Sequence, residues 1–168
     1  MITLVLGGAA SGKSAVAERL TAQLAPPVTY VATWEPDPAD ADMQARVSAH
    51  RARRPADWAT VECGADLAAV VAALPGTALI DALGTWVAAA PGGAADAREL
   101  CAALRRRAGD TVVVSDEVGL GVHPSTEAGR RFRDVLGAVN QEVAAVADRV
   151  WLVVAGRVLA LDAPPGAG

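Results

Sequence analysis

A single lysine marks the segment that most constrains this chain. Lys13 lies in Gly7-Gly8-Ala9-Ala10-Ser11-Gly12-Lys13-Ser14, a complete G-x-x-x-x-G-K-[ST] loop, and Arg19, Arg46 and all the later basic residues are arginine. The apolar run 2–6 precedes the loop and reads as a short buried strand, while Ala15, Val16, Ala17, Leu20 and Leu24 follow at helical spacing. A strand, a glycine-rich turn and a helix in that order aim backbone N–H groups, the positive end of the helix and an ammonium at one point. Such a point binds phosphate. The motif assigns Gly7, Gly8, Ala9, Ala10, Ser11 and Gly12 to the cradle, Lys13 to the β- and γ-phosphates of a nucleotide, and the Ser14 hydroxyl to Mg2+.

The rest of the chain repeats the same alternation. Apolar, β-branched runs at 2–6, 28–33, 78–81, 111–115 and 150–154 are separated by alanine-rich stretches that predict helices over 12–25, 41–53, 65–74, 97–108 and 126–147. This order predicts an α/β fold of the P-loop NTPase type, a mostly parallel sheet flanked by helices. The last two runs, 150–154 and 157–161, are joined only by Ala155-Gly156, so they must form an antiparallel hairpin at the sheet edge. The 168 residues fit one domain, and 52% hydrophobic residues suffice for its core. Residues 1–163 are therefore read as a single nucleotide-binding catalytic domain, and 164–168 as a flexible tail.

Charge and cysteine content narrow the function classes. A net charge of −4 argues against a general nucleic-acid binder, although arginines cluster at Arg51-Arg53-Arg54, Arg105-Arg106-Arg107 and Arg130-Arg131-Arg133. Cys63 and Cys101 are too few for a disulfide framework and lack metal-ligand spacing. No apolar run approaches the length of a membrane span, and the first strand starts without a basic leader, so a cytoplasmic protein with no membrane insertion is expected.

Ligands of open α/β sheets bind at the carboxyl ends of the strands, where this sequence places Thr33, Asp81 and Ser115-Asp116-Glu117. In Thr77-Ala78-Leu79-Ile80-Asp81 an apolar strand delivers one carboxylate, which next to a phosphate loop suits the shell of Mg2+. Asp116 and Glu117 compete for that role from an equally apolar strand. A second candidate is His50, in Arg46-Val47-Ser48-Ala49-His50-Arg51-Ala52-Arg53-Arg54-Pro55. On a helix Arg46, Arg53 and Arg54 share its face, and an imidazole ringed by guanidiniums is disfavoured as a cation. It then stays neutral, as a nucleophile must, while the arginines hold a polyphosphate. The same spacing also describes a solvated basic helix carrying an incidental histidine.

The loop at 7–14 and the Arg46 to Pro55 block are followed in order by Trp58-Ala59-Thr60-Val61-Glu62, Ser115-Asp116-Glu117-Val118-Gly119-Leu120-Gly121-Val122, Gly129-Arg130-Arg131-Phe132-Arg133-Asp134, Asn140-Gln141 and Trp151-Leu152-Val153-Val154-Ala155-Gly156. Together these segments resemble, nearly end to end, the bifunctional adenosylcobinamide kinase / adenosylcobinamide-phosphate guanylyltransferase family of cobalamin biosynthesis. The resemblance implies that a nucleoside triphosphate, GTP or ATP, phosphorylates adenosylcobinamide. GMP from GTP is then transferred to that phosphate, giving adenosylcobinamide-GDP. It places the guanylyl carrier on His50 and nucleotide contacts on Arg51, Ala52, Arg53, Arg54, Ala32, Thr33 and Trp34. Glu62 and Asp81 match acidic nucleotide-site positions; a carboxylate suits the adjacent N–H donors of guanine, so Glu62 is a candidate reader of the base, or a strand end facing solvent. A homo-oligomer, in this family a trimer, is also implied. The competing functions are a phosphate-loop small-molecule kinase without a covalent step and a GTP-binding regulatory module. Two departures stand out: the family more often has Ser-Asn-Glu where this chain has Ser115-Asp116-Glu117, and Ala82 to Ala90 lacks polar residues usual there.

Overall fold

The computed structural model describes residues 1–34, 54–90 and 95–163. Strand β1 (Ile2–Gly7) is buried along its whole length and runs through the loop into α1 (Lys13–Thr21). The described chain continues through β2 (Val28–Ala32), β3 (Ala59–Glu62), α2 (Leu67–Ala73), β4 (Thr77–Asp81) and α3 (Leu83–Ala89). It ends with α4 (Ala97–Arg106), β5 (Thr111–Asp116), α5 (Glu127–Ala144), β6 (Arg149–Val154) and β7 (Arg157–Leu161). The strands form one sheet in the order β3-β2-β4-β5-β1-β6-β7. Its pairings are parallel except that of β6 with β7, which is antiparallel as the two-residue connection requires. Ala155 and Gly156 both take positive φ, 50° and 73°, the conformation of a tight hairpin turn.

Alternation along the strands sorts the core into two layers. Leu4, Leu6, Val31, Ile80 and Val113 face one side, with Leu67, Val71, Trp86, Leu100, Leu104, Leu136 and Val139 from α2, α3, α4 and α5. Val5, Tyr30, Ala32, Leu79, Val112 and Val114 face the other, against Val16 and Ala17 of α1. Burying each large aliphatic side chain contributes roughly 1.5–3 kcal/mol, and the strands buried on both faces read as continuous apolar runs for that reason.

Several element ends differ from the sequence expectation. α1 stops at Thr21 instead of reaching residue 25, because Gln23 and Leu24 bond back to Leu20 and Thr21 in a tighter final turn before Pro26-Pro27. α5 closes at Ala144 in the same way, through Val146 to Val143 and Ala147 to Ala144. Its start is sharp, since Thr126 caps the N–H of Gly129 at 3.1 Å. The short strand β3 and the helix α3 were not anticipated. β3 exists through its pairing with β2, and its residues are mostly exposed; α3 has little helical periodicity but buries Leu83, Trp86 and Val87. The helix expected over 41–53 and the tail at 164–168 lie outside the described residues.

The edge of the sheet opposite the phosphate loop is tied by one side chain. The Arg107 guanidinium donates to the carbonyls of Val71, Leu74 and Gly76 at 2.9, 2.8 and 2.6 Å, and its Nε to Thr111 Oγ1 at 3.1 Å. These carbonyls end α2 and lead into β4, so one planar fork joins α2, α4, β4 and β5. Partial burial pulls its pKa below the usual arginine value. Arg107→Ala is expected to lower stability by roughly 1–3 kcal/mol, since three partly buried carbonyls would lose a charged donor. Urea unfolding of the purified variant measures this; a midpoint equal to that of the parent protein would contradict it.

Candidate active site

The phosphate loop is held by its own backbone and by the distant hairpin. Ser11 N–H donates to Gly8 O at 3.2 Å, and Val16 N–H to Gly12 O at 3.0 Å, starting α1. Gly156 N–H, from the β6–β7 turn, donates to Ser11 O at 2.8 Å. Gly12 has φ 91°, and a Cβ there would come within 3.3 Å of Gly156 Cα. Only glycine suits that left-handed position under the hairpin.

Three carboxylates reach this region and take different partners. Lys13 Nζ donates to Gly8 O at 3.3 Å and pairs with Asp116 Oδ1 at 2.7 Å. Asp81 Oδ1 accepts from Ser14 Oγ at 3.5 Å and its Oδ2 from Tyr30 OH at 2.9 Å. Glu117 turns away, accepting from Gly119 N–H at 2.6 Å while its own N–H donates to Gly7 O at 3.0 Å. The competition left open by the sequence thus separates in space: Asp81 faces the loop hydroxyl, Asp116 the lysine, and Glu117 its own turn. Asp116 is anchored from below, since Asn140 Nδ2 donates to its carbonyl at 3.0 Å and Ser115 Oγ donates to Asn140 Oδ1 at 2.6 Å. Across from it stands Gly84, where a Cβ would collide with Asp116 Oδ2.

The Ser14 and Asp81 oxygens fit a small hard cation. Two oxygens that share one Mg2+ at about 2.1 Å each lie no more than about 4.2 Å apart, and the observed pair is 3.5 Å apart. No group of three or more His, Cys, Asp or Glu side chains is gathered for a metal among the described residues. A hydroxyl and one carboxylate are the donor set of an ion that keeps waters and phosphate oxygens as its other ligands.

The remaining candidate residues divide. Parallel register aligns Glu62, Ala32 and Asp81 across β3, β2 and β4. Glu62 stands two strands from Asp81, roughly 10 Å away, and so apart from the loop. Thr33 is buried; its hydroxyl bonds the carbonyl and N–H of Ala82 at 2.5 and 3.1 Å and contacts Thr85 Oγ1. Trp34 packs on the α1 side of the core. Arg54 lies with its guanidinium carbon 3.6 Å from the Tyr30 ring centroid. His50, Arg51, Ala52 and Arg53 lie outside the described residues. Nothing in the sequence singles out Tyr30, which lies inside β2 rather than at its end. It sits two positions earlier on the same face as Ala32, and its length brings the hydroxyl to the edge. Burial, then the Asp81 charge, pushes its pKa up, so it remains a donor.

A phosphate loop between a buried strand and a helix, with carboxylates from neighbouring parallel strands turned toward it, defines an enzyme of the phosphate-loop NTPase fold that acts on nucleotides. The fold is shared by the flagellar accessory protein FlaH from Methanocaldococcus jannaschii, with a TM-score of 0.50 and 13% identity over 94% of this chain and 74% of that one. A prototypical ATPase from the type III secretion system of pathogenic bacteria gives a TM-score of 0.57 and 11% identity, covering 90% of this chain and 50% of that one. The family model for cobinamide kinase / cobinamide phosphate guanyltransferase matches residues 3–161. The chain is 40% identical to the bifunctional adenosylcobalamin biosynthesis protein CobU of Salmonella typhimurium, over 93% of this chain and 97% of that protein. It is 39% identical to the bifunctional adenosylcobalamin biosynthesis protein CobP of Pseudomonas aeruginosa, over 98% of this chain and 99% of the relative. This chain belongs to the cobinamide kinase / cobinamide phosphate guanyltransferase family, whose members are bifunctional enzymes.

The ion pair of Lys13 with Asp116 carries a consequence for nucleotide binding. If Lys13 serves the phosphates, as its place in the loop motif predicts, a triphosphate would have to draw the ammonium away from Asp116 and would then lie beside that carboxylate. Asp116→Asn is expected to tighten metal-free binding of a non-hydrolysable GTP analogue by about three- to tenfold, the scale of one like charge at a partly exposed site. Titration calorimetry measures it; unchanged or weaker binding would show that Asp116 does not compete for the lysine.

Proposed function

We propose that this protein phosphorylates adenosylcobinamide and then transfers GMP from GTP to the product through a guanylyl-histidine at His50. The observation that carries the kinase half is the convergence of Lys13, Ser14 and Asp81 at one end of the sheet. Membership of the family supports the pairing of the two reactions.

In the first reaction the substrate hydroxyl oxygen attacks the γ-phosphorus, its proton passes to solvent, and the bond to the β,γ-bridging oxygen breaks, releasing nucleoside diphosphate. Backbone N–H groups of 7–14 orient the phosphates, and Lys13 leaves Asp116 to neutralise charge that builds on the transferring group. Ser14 and Asp81 would hold Mg2+, which would supply Lewis-acid stabilisation of the phosphates when bound. GTP and ATP both satisfy this geometry. In the second reaction an imidazole nitrogen of His50 attacks the α-phosphorus of GTP and pyrophosphate departs. The substrate phosphate then displaces the imidazole, breaking the N–P bond and restoring His50. Arg51, Ala52, Arg53 and Arg54 line the nucleotide in this reading, with Ala32, Thr33 and Trp34 at the end of β2, and Glu62 accepts from the guanine edge.

Compartment and assembly are part of the same reading. Cys63 and Cys101 are buried and unbonded, which supports a reducing cytoplasm. No helix among the described residues is long and apolar enough to cross a membrane. Val158, Leu159 and Leu161 are exposed on the edge strand β7, which supports self-association, and the trimer that the family resemblance implies is the form this reading adopts.

Two variants test the division of labour. Lys13→Ala should lower phosphoryl transfer by about two orders of magnitude or more in a folded protein. His50→Asn should abolish acid-labile labelling of the protein by α-labelled GTP and formation of adenosylcobinamide-GDP, with kinase activity retained at least in part. Guanylyl transfer by His50→Asn, or parallel loss of both activities in a folded protein, would defeat the covalent reading.

A further inference from the structure

Tyr30 makes two contacts that packing alone does not require. It is buried in β2 on the α1 side of the sheet, where a phenylalanine would fill the same volume. Its hydroxyl instead donates to Asp81 Oδ2 at 2.9 Å, while the other oxygen of that carboxylate accepts from Ser14 at 3.5 Å. Register explains the reach, because Tyr30 pairs with Leu79 and Ala32 with Asp81, so the ring must lean toward the carboxyl edge. The face of the same ring carries the Arg54 guanidinium at 3.6 Å. That separation is well inside the range of a cation–π contact. Arg54 also donates to Thr60 Oγ1 of β3 at 3.4 Å, which fixes it between the ring and the edge strand.

We propose that Tyr30 is a positioning residue for both sides of the nucleotide site: its hydroxyl turns the Asp81 carboxylate toward Ser14, and its ring seats Arg54. The inference deepens the proposed function and rests on the roles given there to Asp81 and Arg54. A carboxylate on a short side chain rotates about its last bond, and a fixed donor on one oxygen leaves the other facing the loop. Partners of this kind orient metal ligands without touching the ion. The ring contact bears on Arg54, by holding a flexible cation beside the paired residues Tyr30 and Thr60 of β2 and β3. The hydroxyl and the ring can therefore be separated by substitution.

The test is calorimetric binding of a non-hydrolysable GTP analogue to the full chain, with and without MgCl2. Tyr30→Phe keeps the ring and the charge of Asp81. It should leave metal-free affinity within about twofold and reduce the Mg2+-dependent gain in affinity by about tenfold, the scale of a lost partner to a metal ligand. Tyr30→Leu should show the same loss and also weaken metal-free binding by about three- to tenfold, as Arg54 loses its seat. Arg54→Gln, which leaves the core untouched, should reproduce that metal-free weakening and keep the Mg2+-dependent gain, so the ring contact is tested even where Tyr30→Leu does not fold. Asp81→Asn separates the two layers of the argument. If it abolishes the Mg2+-dependent gain while Tyr30→Phe retains it in full, the Asp81 assignment stands and the hydroxyl role is overturned. If Asp81→Asn retains the gain as well, the Asp81 assignment falls and the Tyr30 role falls with it. Full metal-free affinity in Arg54→Gln overturns the seating role.

Discussion

The parallel pairing of β1 with β5, and of β4 with β5 and β2, is the constraint on which the site depends. Parallel strands end together, so the loop after β1, Asp81 at the end of β4, Asp116 at the end of β5 and the turn after Ala32 all emerge at one edge. The register is unforgiving: a slip by one residue would move Asp81 to the opposite face and send its neighbours Ile80 and Leu79 to the wrong layers. Burial of β1, β4 and β5 on both faces prevents that slip, since their apolar residues pack on both sides. The same core that stabilises the sheet thereby sets the positions of groups at its end.

At that edge the charges are arranged in pairs that a nucleotide would rearrange. Lys13 is satisfied by Asp116 and Gly8, and Ser14 by Asp81, so both side chains have partners at the loop before an anion arrives, and a nucleotide must exchange those partners for its own oxygens. Behind the pairs stands a second layer of fixed polar groups: Asn140 and Ser115 under Asp116, Tyr30 under Asp81, and the Gly156 N–H on Ser11. Each comes from a different element, so the geometry of the loop reports on the packing of α5, β2 and the β6–β7 hairpin at once.

Much of this was legible in the order of the residues, and the omissions have physical causes. The loop 7–14 and the apolar strands were readable because each depends on local spacing, and the antiparallel edge followed from a connection too short for anything else. β3 was missed because Ala59 to Glu62 has few apolar residues and is a strand only by its pairing with β2. α3 was missed because Leu83 to Ala89 mixes glycine, threonine and tryptophan, and is held by burial rather than by helix-forming residues. The expected helix ends ran four residues too far in α1 and three too far in α5, where alanine-rich sequence does not signal the tighter final turn.

The sequence by itself determined that this chain binds phosphate, that its sheet is mainly parallel, and that its motifs resemble one family, because these rest on residue type, spacing and order. Only the tertiary structure decided which partner each carboxylate takes. Asp81, Asp116 and Glu117 are similar as letters at the ends of apolar runs; their partners Ser14, Lys13 and Gly119 follow from strand order and from where each chain turns next. Tyr30 and Arg54 belong to the same category. Their contact, and the bond from Tyr30 to Asp81, join residues 24 and 51 positions apart, which only the pairing of β2 with its neighbours brings within a few ångströms.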